Sequence, residues 1–130
     1  MVVGNYSMAL YACHYYKRLS GKAPVKEFIN SLDPNTQSKF FFKKSLLEQY
    51  GIMLPEPHAS YLKEGIFELR FRSTGGHIRV LYFFAFKKSI IFTNGFRKKT
   101  RKVPRKELAL AIQRKEEFLN RHKQTKKRGK

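Results

Sequence analysis

The chain has 130 residues, 42% of them hydrophobic and 15% aromatic, and its 28 lysines and arginines against 9 acidic residues give a net charge of +19. This length fits one globular domain, and because the positive charges repel one another we expect a polyanionic partner: nucleic acid first, an anionic membrane surface second and an acidic protein third. With few carboxylates, no His-x-x-x-His pair and no cysteine pair, the composition argues against a metal-dependent nuclease.

The first twenty residues scatter polar and charged side chains among apolar ones, which is not the pattern of a signal peptide. Cys13 is the single cysteine, so no disulfide framework is expected and a reducing compartment fits. The longest apolar run, residues 80–86, is far shorter than the roughly 20 residues that cross a bilayer. We therefore expect a cytoplasmic protein without a membrane partner.

A strand over residues 9–16 and two helices are predicted for the N-terminal half. Pro24 suits the first turn of the first helix, and Asp33 suits the N-cap of the second, which is expected to end at Gly51. The spacing of apolar residues gives each helix a buried side. The residues expected there are Val25, Phe28, Ile29 and Leu32 in the first helix, and Phe40, Leu47 and Tyr50, with Phe41 or Leu46, in the second.

The C-terminal half is predicted to begin with an irregular connection that contains two prolines, over residues 52–65. Strands over 66–72, 77–86 and 89–94 then form an antiparallel meander. A basic loop leads to an amphipathic helix marked by Leu108, Ala111, Ile112 and Leu119. The predicted fold class is α+β, with helices against one face of a sheet, in one domain over 1–122, followed by a basic disordered tail over 123–130.

Arginines recur inside the predicted hairpin at residues 66–86. Strand alternation places Phe67, Leu69 and Phe71 on one face of its first strand, and Glu68, Arg70 and Arg72 on the other. In the second strand, alternation does not determine which side chains face which side of the sheet. Arg79 nevertheless lies near the Gly-Gly turn and can share the face of Arg70. The third strand returns to this edge, so the basic run 97–102 should bring four to six cations together. Such a focus of charge suits a phosphate.

Simpler interpretations of the same residues stay open. Arg72 and Arg101 fit solvated or phosphate-positioning charges, and Glu68 fits a surface ion pair with Arg70 near Lys63. His77 fits an exposed turn histidine as well as a catalytic base. The aromatic stripe of the strands fits a core, in which one or two exposed rings could stack on bases.

Four segments, taken together, resemble a known family. They are "APVKEFINSL", "LKEGIFELRFR", "HIRVLYFF" and "IIFTNGFRKKTRKVPRKELALAIQR", and in this order they resemble the phage-derived branch of the RelE/HigB toxins of type II toxin–antitoxin systems. The similarity covers about residues 10–122 and implies a RelE-like fold.

The resemblance implies a small ribonuclease that enters the A site of the 70S ribosome and cuts mRNA without a metal or other cofactor. Arg70, Arg79, Lys98 and Lys99 match the basic residues on the sheet face of the family. The implied partner is a neutralising helix-turn-helix antitoxin, and operator DNA is bound only through that antitoxin.

Metal-free RNA cleavage uses the neighbouring 2′-OH as nucleophile, so the site must stabilise a phosphorane and assist two proton transfers. Arg79 is the candidate for the phosphorane, Arg70 for clamping a phosphate, and Lys98 or Lys99 for protonating the leaving oxygen. The base stays open between Glu68 and His77. The last helix offers Phe118, which cannot transfer a proton, and His122, where some relatives carry a tyrosine or histidine.

The predicted site has two parts and no metal ligands. The candidate catalytic residues are Arg79, Arg70, Lys98, Lys99, Glu68 and His77. The candidate RNA-binding residues are Arg72, Arg97, Arg101, Lys102 and Lys63. Two alternatives are a non-catalytic RNA- or ribosome-binding protein that uses the same basic face, and, more weakly, a peripheral membrane protein.

Overall fold

The computed structural model describes the backbone of residues 9–128 and the side chains of residues 9–123, so residues 1–8 of the predicted domain lie outside it. The fold is α+β, and its order differs in detail from the expected one. The elements are β1 (Ala12–Tyr15), α1 (Pro24–Asn30), α2 (Pro34–Tyr50), β2 (Ala59–Lys63), β3 (Ile66–Ser73), β4 (Gly76–Ala85), β5 (Ser89–Lys98) and α3 (Arg105–Arg128). A 3-10 turn, Gly51–Met53, follows α2.

The strands form one five-stranded mixed sheet in the order β1-β5-β4-β3-β2. β4 pairs antiparallel with β3 on one side and with β5 on the other, which confirms the predicted meander. β1 pairs parallel with β5 and is shorter than the predicted strand over residues 9–16. The meander is therefore the centre of the sheet, and β1 and β2 lie at its edges.

β2 was not predicted, because the prolines at 55 and 57 made residues 52–65 look irregular throughout. Both prolines precede the strand, which pairs antiparallel with β3 from Ala59 opposite Leu69. Glu64 and Gly65 form the two-residue connection between β2 and β3 with φ values of 50° and 81°. Positive φ at both positions is the geometry of a tight hairpin turn, for which glycine is well suited.

Helices cover both faces of the sheet, so the expectation of helices on one face is wrong. One core holds Val25 and Ile29 of α1 and Phe40 and Leu47 of α2 against the sheet. A second core, on the other face, holds Ala111 of α3. The second core contains Leu81, Phe83, Ile91 and Phe96 from the sheet. Two covered faces explain why β4 is apolar in both directions beyond Arg79.

The predicted start of α2 is confirmed, and its predicted buried side is confirmed in part. Asp33 caps the helix by accepting hydrogen bonds from the backbone N–H of Thr36 at 3.1 Å and from its hydroxyl at 2.6 Å. Phe40 and Leu47 are fully buried. Of the alternatives Phe41 and Leu46, Leu46 packs against the core, whereas Phe41 is half exposed. Tyr50 is also half exposed, which corrects its assignment to the buried side.

α3 extends through most of the segment expected to be a disordered tail. Its backbone is helical to Arg128, and only residues 129–130 of the tail lie outside the described part. Lysine, arginine and glutamine are good helix formers, and adding residues to an existing helix is far easier than nucleating one. Tyr16 fixes the helix to the sheet by donating a hydrogen bond to Glu117 Oε1 at 2.8 Å. No helix within residues 9–128 is long and apolar enough to cross a membrane.

β5 continues to Lys98, four residues beyond the predicted end at residue 94. Gly95 led us to predict a loop, but it lies inside the strand, where its lack of a side chain leaves room for Phe28. A Cβ at this position would lie 2.6 Å from the ring of Phe28, which packs on the strand from α1. Arg97 and Lys98 therefore belong to a strand and have defined facing.

Candidate phosphate-binding site

The cross-strand register brings cations together at the end of the sheet that carries the β3–β4 turn. Arg70 lies opposite Arg79, Arg72 lies opposite His77, and His77 lies opposite Lys98. Residues opposite one another in neighbouring strands project from the same face of the sheet. We call this end of the face, with Arg70, Arg72, His77, Arg79 and Lys98, the cationic face. It lies beyond the part of the same face that α3 covers.

Glu68 holds the two central arginines. Its Oε1 lies 3.1 Å from Nε of Arg79, and its Oε2 lies 3.0 Å from Nε of Arg70. Like charges directly opposite one another repel, and a carboxylate between them offsets that repulsion. Glu68 is 2% exposed, whereas the Arg70 side chain is 30% exposed. Their ion pair is therefore partly buried, and the interpretation of it as a surface ion pair holds only for the arginine. Arg70 Nη1 also lies 3.6 Å from Oε1 of the exposed Glu56.

Arg79 is held on two sides. Besides its contact with Glu68, its Nη1 donates a hydrogen bond to the carbonyl oxygen of Ile78 at 3.0 Å. Burial, with Arg70 and Arg72 adding to it, lowers the pKa of Arg79, whereas Glu68 opposes that shift. A guanidinium held on two sides is oriented before any ligand arrives.

The surroundings of the cationic face lower the pKa of both Lys98 and His77. Desolvation lowers the pKa of Lys98, and the neighbouring Arg79 and Arg70 lower it further. Desolvation also lowers the pKa of His77, with further effects of Arg72, Arg79 and Lys98. At neutral pH a larger fraction of His77 is therefore in the neutral form that can accept a proton, and Lys98 is a stronger acid than a free lysine.

Two clefts meet at the cationic face and share His77 and Arg79 as a common wall. The edge cleft, of about 470 Å³, is lined by Lys39, Phe42, Lys43, Pro57, Arg70, Phe71, Arg72, His77 and Arg79. The loop cleft, of about 500 Å³, is lined by His77, Arg79, Lys98, Lys99, Thr100 and Arg101. Either volume is of the size expected for a small-molecule site.

The other predicted residues lie around these clefts, with one exception. Lys99 and Arg101 are exposed beyond the end of β5 and line the loop cleft. Lys63 and Lys102 line a third cleft, of about 380 Å³, between β2 and the segment before α3. Arg97 lies apart, because it faces the other side of the sheet opposite Ile78, and its Nη1 donates to the hydroxyl of Ser73.

Two residues of the last helix that were weighed for proton transfer form a stack away from the clefts. The rings of Phe118 and His122 are 4.1 Å apart, and Phe86 in the β4–β5 turn contacts both. That turn is at the end of β4 opposite to His77. The structure therefore does not bring His122 to Arg79.

Three residues on the α2 side of the edge cleft were not predicted from the sequence: Lys39, Phe42 and Lys43. They follow one another at i, i+3 and i+4, the spacing that puts residues on one side of a helix. The run "KFFFKK" carried a signal, since three consecutive aromatic residues cannot all face one core from a helix. No group of three or more His, Cys, Asp and Glu side chains that could hold a metal ion occurs within the described part of the chain.

Comparison with known families supports the phage-derived origin that the resemblance implies. The model of the family described as phage derived protein Gp49-like (DUF891) matches residues 27–116. The matched segment contains every residue of the cationic face and every residue that lines the edge cleft or the loop cleft. No curated protein matches the chain.

Proposed function

This chain belongs to the phage-derived Gp49-like family, and from that membership and the cationic face we propose that it is the toxin of a type II toxin–antitoxin system, a metal-independent endoribonuclease that cleaves mRNA in the ribosomal A site. The family match supports the phage-derived origin that the resemblance implies, and the assignment to the RelE/HigB toxins is part of the proposal. The neutralising helix-turn-helix antitoxin belongs to the proposal on the same ground.

The observation that carries the proposal is Arg79 in the wall between two open clefts. A strand of RNA that passes from one cleft to the other must cross Arg79 and His77. A guanidinium already oriented by Glu68 and Ile78 matches the oxygens of a phosphate at that crossing and needs no rearrangement when charge develops there.

The reaction follows from the groups around that crossing. The 2′-oxygen forms a bond to phosphorus as its proton passes to the neutral imidazole of His77. The bond from phosphorus to the 5′-oxygen breaks as Lys98 gives that oxygen a proton. The products are a 2′,3′-cyclic phosphate and a 5′-OH end, and Arg79 stabilises the phosphorane between the two steps.

Glu68 has a positioning part in this mechanism. Both of its carboxylate oxygens contact arginines, and the residue is buried, so it is poorly placed to receive a proton from RNA. Of the two candidate bases, we therefore assign the role to the exposed His77.

The test separates the chemistry of Arg79 from its structural role. Arg79→Ala would leave a buried carboxylate without its partner, whereas Arg79→Lys keeps the charge beside Glu68 and removes the planar fork. We expect Arg79→Lys to fold and to lower cleavage by about 100-fold, the effect of removing one preorganised donor. The measurement is the mapping of RNA 5′-OH ends after induced expression.

Arg18→Lys is the matched control, because Arg18 is exposed in the connection between β1 and α1 and lines neither of the two clefts that meet at Arg79. It should cleave as the wild type does. If the wild-type protein binds ribosomes and yields no new 5′-OH ends, the enzymatic proposal fails and the non-catalytic alternative replaces it. Full cleavage by Arg79→Lys would remove Arg79 from the mechanism.

A further inference from the structure

We propose that the edge cleft is a subsite for the nucleotide next to the scissile phosphate, with the ring of Phe42 as the platform on which its base stacks. The inference rests on the proposed function, because it takes single-stranded RNA as the ligand. It adds a base-binding residue on α2, outside the sheet-face basic residues from which the proposed chemistry was built.

The edge cleft exists because β2 stops short of the turn end of β3. Pairing between the two strands reaches Ala59 opposite Leu69, and one further hydrogen bond joins the N–H of Arg70 to the carbonyl oxygen of His58 at 2.9 Å. Beyond it, no other strand among residues 9–128 pairs with β3 on this side. The cleft therefore joins the cationic face to the side of the sheet that α2 covers, and a ligand can contact both.

Phe42 is unusually exposed for a phenylalanine beside a core. It is 59% exposed, whereas Phe40, two residues earlier, is fully buried. It lines the cleft together with Pro57 and Phe71. Phe71 is only 5% exposed, so Phe42 is the phenylalanine whose ring is open to a ligand among the cations. The loop cleft has cations and a hydroxyl, and its one ring is that of His77, which it shares with the edge cleft and which the proposed mechanism uses for proton transfer. The rest of the loop cleft suits the ribose-phosphate backbone.

The charges of the edge cleft agree with an RNA ligand. All its charged or titratable lining side chains are basic: Lys39, Lys43, Arg70, Arg72, His77 and Arg79. Lys43 Nζ lies 2.9 Å from Nδ1 of His58, and burial lowers the pKa of Lys43. A ring among cations is the arrangement by which proteins bind single-stranded nucleic acid, where bases stack on aromatic faces and cations follow the phosphates.

The experiment uses the full chain and a short 2′-O-methyl oligonucleotide, which lacks the nucleophile and cannot be cleaved. Affinity is measured for the intact oligonucleotide and for a series in which one base at a time is removed to leave an abasic site. Phe42→Ala should weaken binding of the intact strand by about 5- to 100-fold, the range for losing one base–ring stack. In the wild type, removal of one particular base should cost a similar factor, and in Phe42→Ala that same removal should cost nothing.

Two variants keep the outcome specific. Phe42→Tyr retains a ring and should bind as the wild type does. Phe41→Ala removes a half-exposed ring next to Phe42 that does not line the cleft, and it should leave affinity unchanged. The inference is overturned if the wild type does not bind the oligonucleotide, if Phe42→Ala binds as tightly as the wild type, or if abasic sites weaken both proteins equally. A chain that binds in the expected way and yields no 5′-OH ends would retain the subsite and lose the proposed ribonuclease activity.

Discussion

Arg70 and Arg79 face one another across neighbouring strands, an arrangement that costs free energy unless a negative charge lies between them. Glu68 supplies that charge, with one oxygen directed to each guanidinium. Glu68 is buried and lines neither the edge cleft nor the loop cleft, whereas Arg79 lines both, so these two clefts present positive charge to a ligand without the compensating carboxylate. The same three residues thus explain how the strands tolerate the charge and where the proposed function places the phosphate.

The pH dependence of cleavage should follow His77 and Lys98. The rate rises with pH as His77 loses its proton, and since its pKa is lowered, this rise should be complete at a lower pH than for a free histidine. The rate falls at alkaline pH as Lys98 loses its proton, and this fall should begin earlier than for a free lysine, because its pKa is also lowered. The measurement is the single-turnover rate of mRNA cleavage on ribosomes across pH.

Two substitutions assign the limbs of that profile. His77→Gln should slow cleavage and remove the acidic limb, because glutamine does not titrate. Lys98→Arg should move the alkaline limb to higher pH, because a guanidinium keeps its proton over a wider pH range than an ammonium group. An acidic limb that survives in His77→Gln would show that another group takes the proton from the 2′-OH.

At the residue scale, short-range rules predicted the part of the site that lies on adjacent strands. Alternation placed Arg70 and Arg72 on one face, and the return of the meander brought Arg79 and Lys98 beside them. These rules could not place Phe42 in the cleft, because its position depends on how α2 crosses the sheet. The double contact of Glu68 also depends on tertiary structure, since burial of its carboxylate is invisible in the alternation pattern.

At the scale of elements, the missed features have one cause. Proline, glycine and dense charge signal irregular structure locally, but in this chain tertiary pairing overrides each signal. β2 forms after the prolines because it hydrogen-bonds to β3, and β5 passes through Gly95 because Phe28 needs the space. The meander and the start of α2 were predictable, because turns and a helix cap are determined by neighbours in sequence.

The contact of α1 with β5 gives a prediction about stability. Gly95→Ala places a methyl group against the ring of Phe28, and crowding of this kind costs about 1–3 kcal/mol. The free energy of unfolding from urea titration should fall by that amount. Adding Phe28→Leu should recover part of the loss, because the smaller side chain frees space for the methyl group.

Gly75→Ala is the matched control for Gly95→Ala. A Cβ there would meet the tip of the Arg97 side chain at 3.1 Å, and a flexible arginine can move away. Its effect should lie within about 0.5 kcal/mol, as for ordinary surface substitutions. Equal destabilisation by both changes would mean that the close approach of Phe28 does not determine the choice of glycine at position 95.

At the scale of the whole molecule, the net charge of +19 attracts polyanions in general, and in the proposed function the clefts determine where RNA is held. Cations line the edge cleft, the loop cleft and the third cleft at one end of the sheet. Lys87 and Lys88 occupy the β4–β5 turn at the opposite end. Two modes of RNA binding therefore make different predictions for lysines at the two ends of the sheet: diffuse electrostatic attraction over the whole surface, and binding along the clefts.

The dependence of RNA affinity on salt concentration distinguishes diffuse electrostatic attraction from binding along the clefts. Each phosphate contact of a single strand contributes about 0.7 to the slope of log affinity against log salt concentration, so Lys99→Gln should reduce that slope by about 0.7 if Lys99 in the loop cleft binds a phosphate. Lys87→Gln makes the same change of charge at the opposite end of the sheet and should leave the slope unchanged, because a strand held in the clefts does not reach it. Affinity is measured with the 2′-O-methyl oligonucleotide over a series of salt concentrations. If the two variants lose the same amount of slope, RNA is held by diffuse charge over the whole surface, and the strand does not follow the clefts past Arg79.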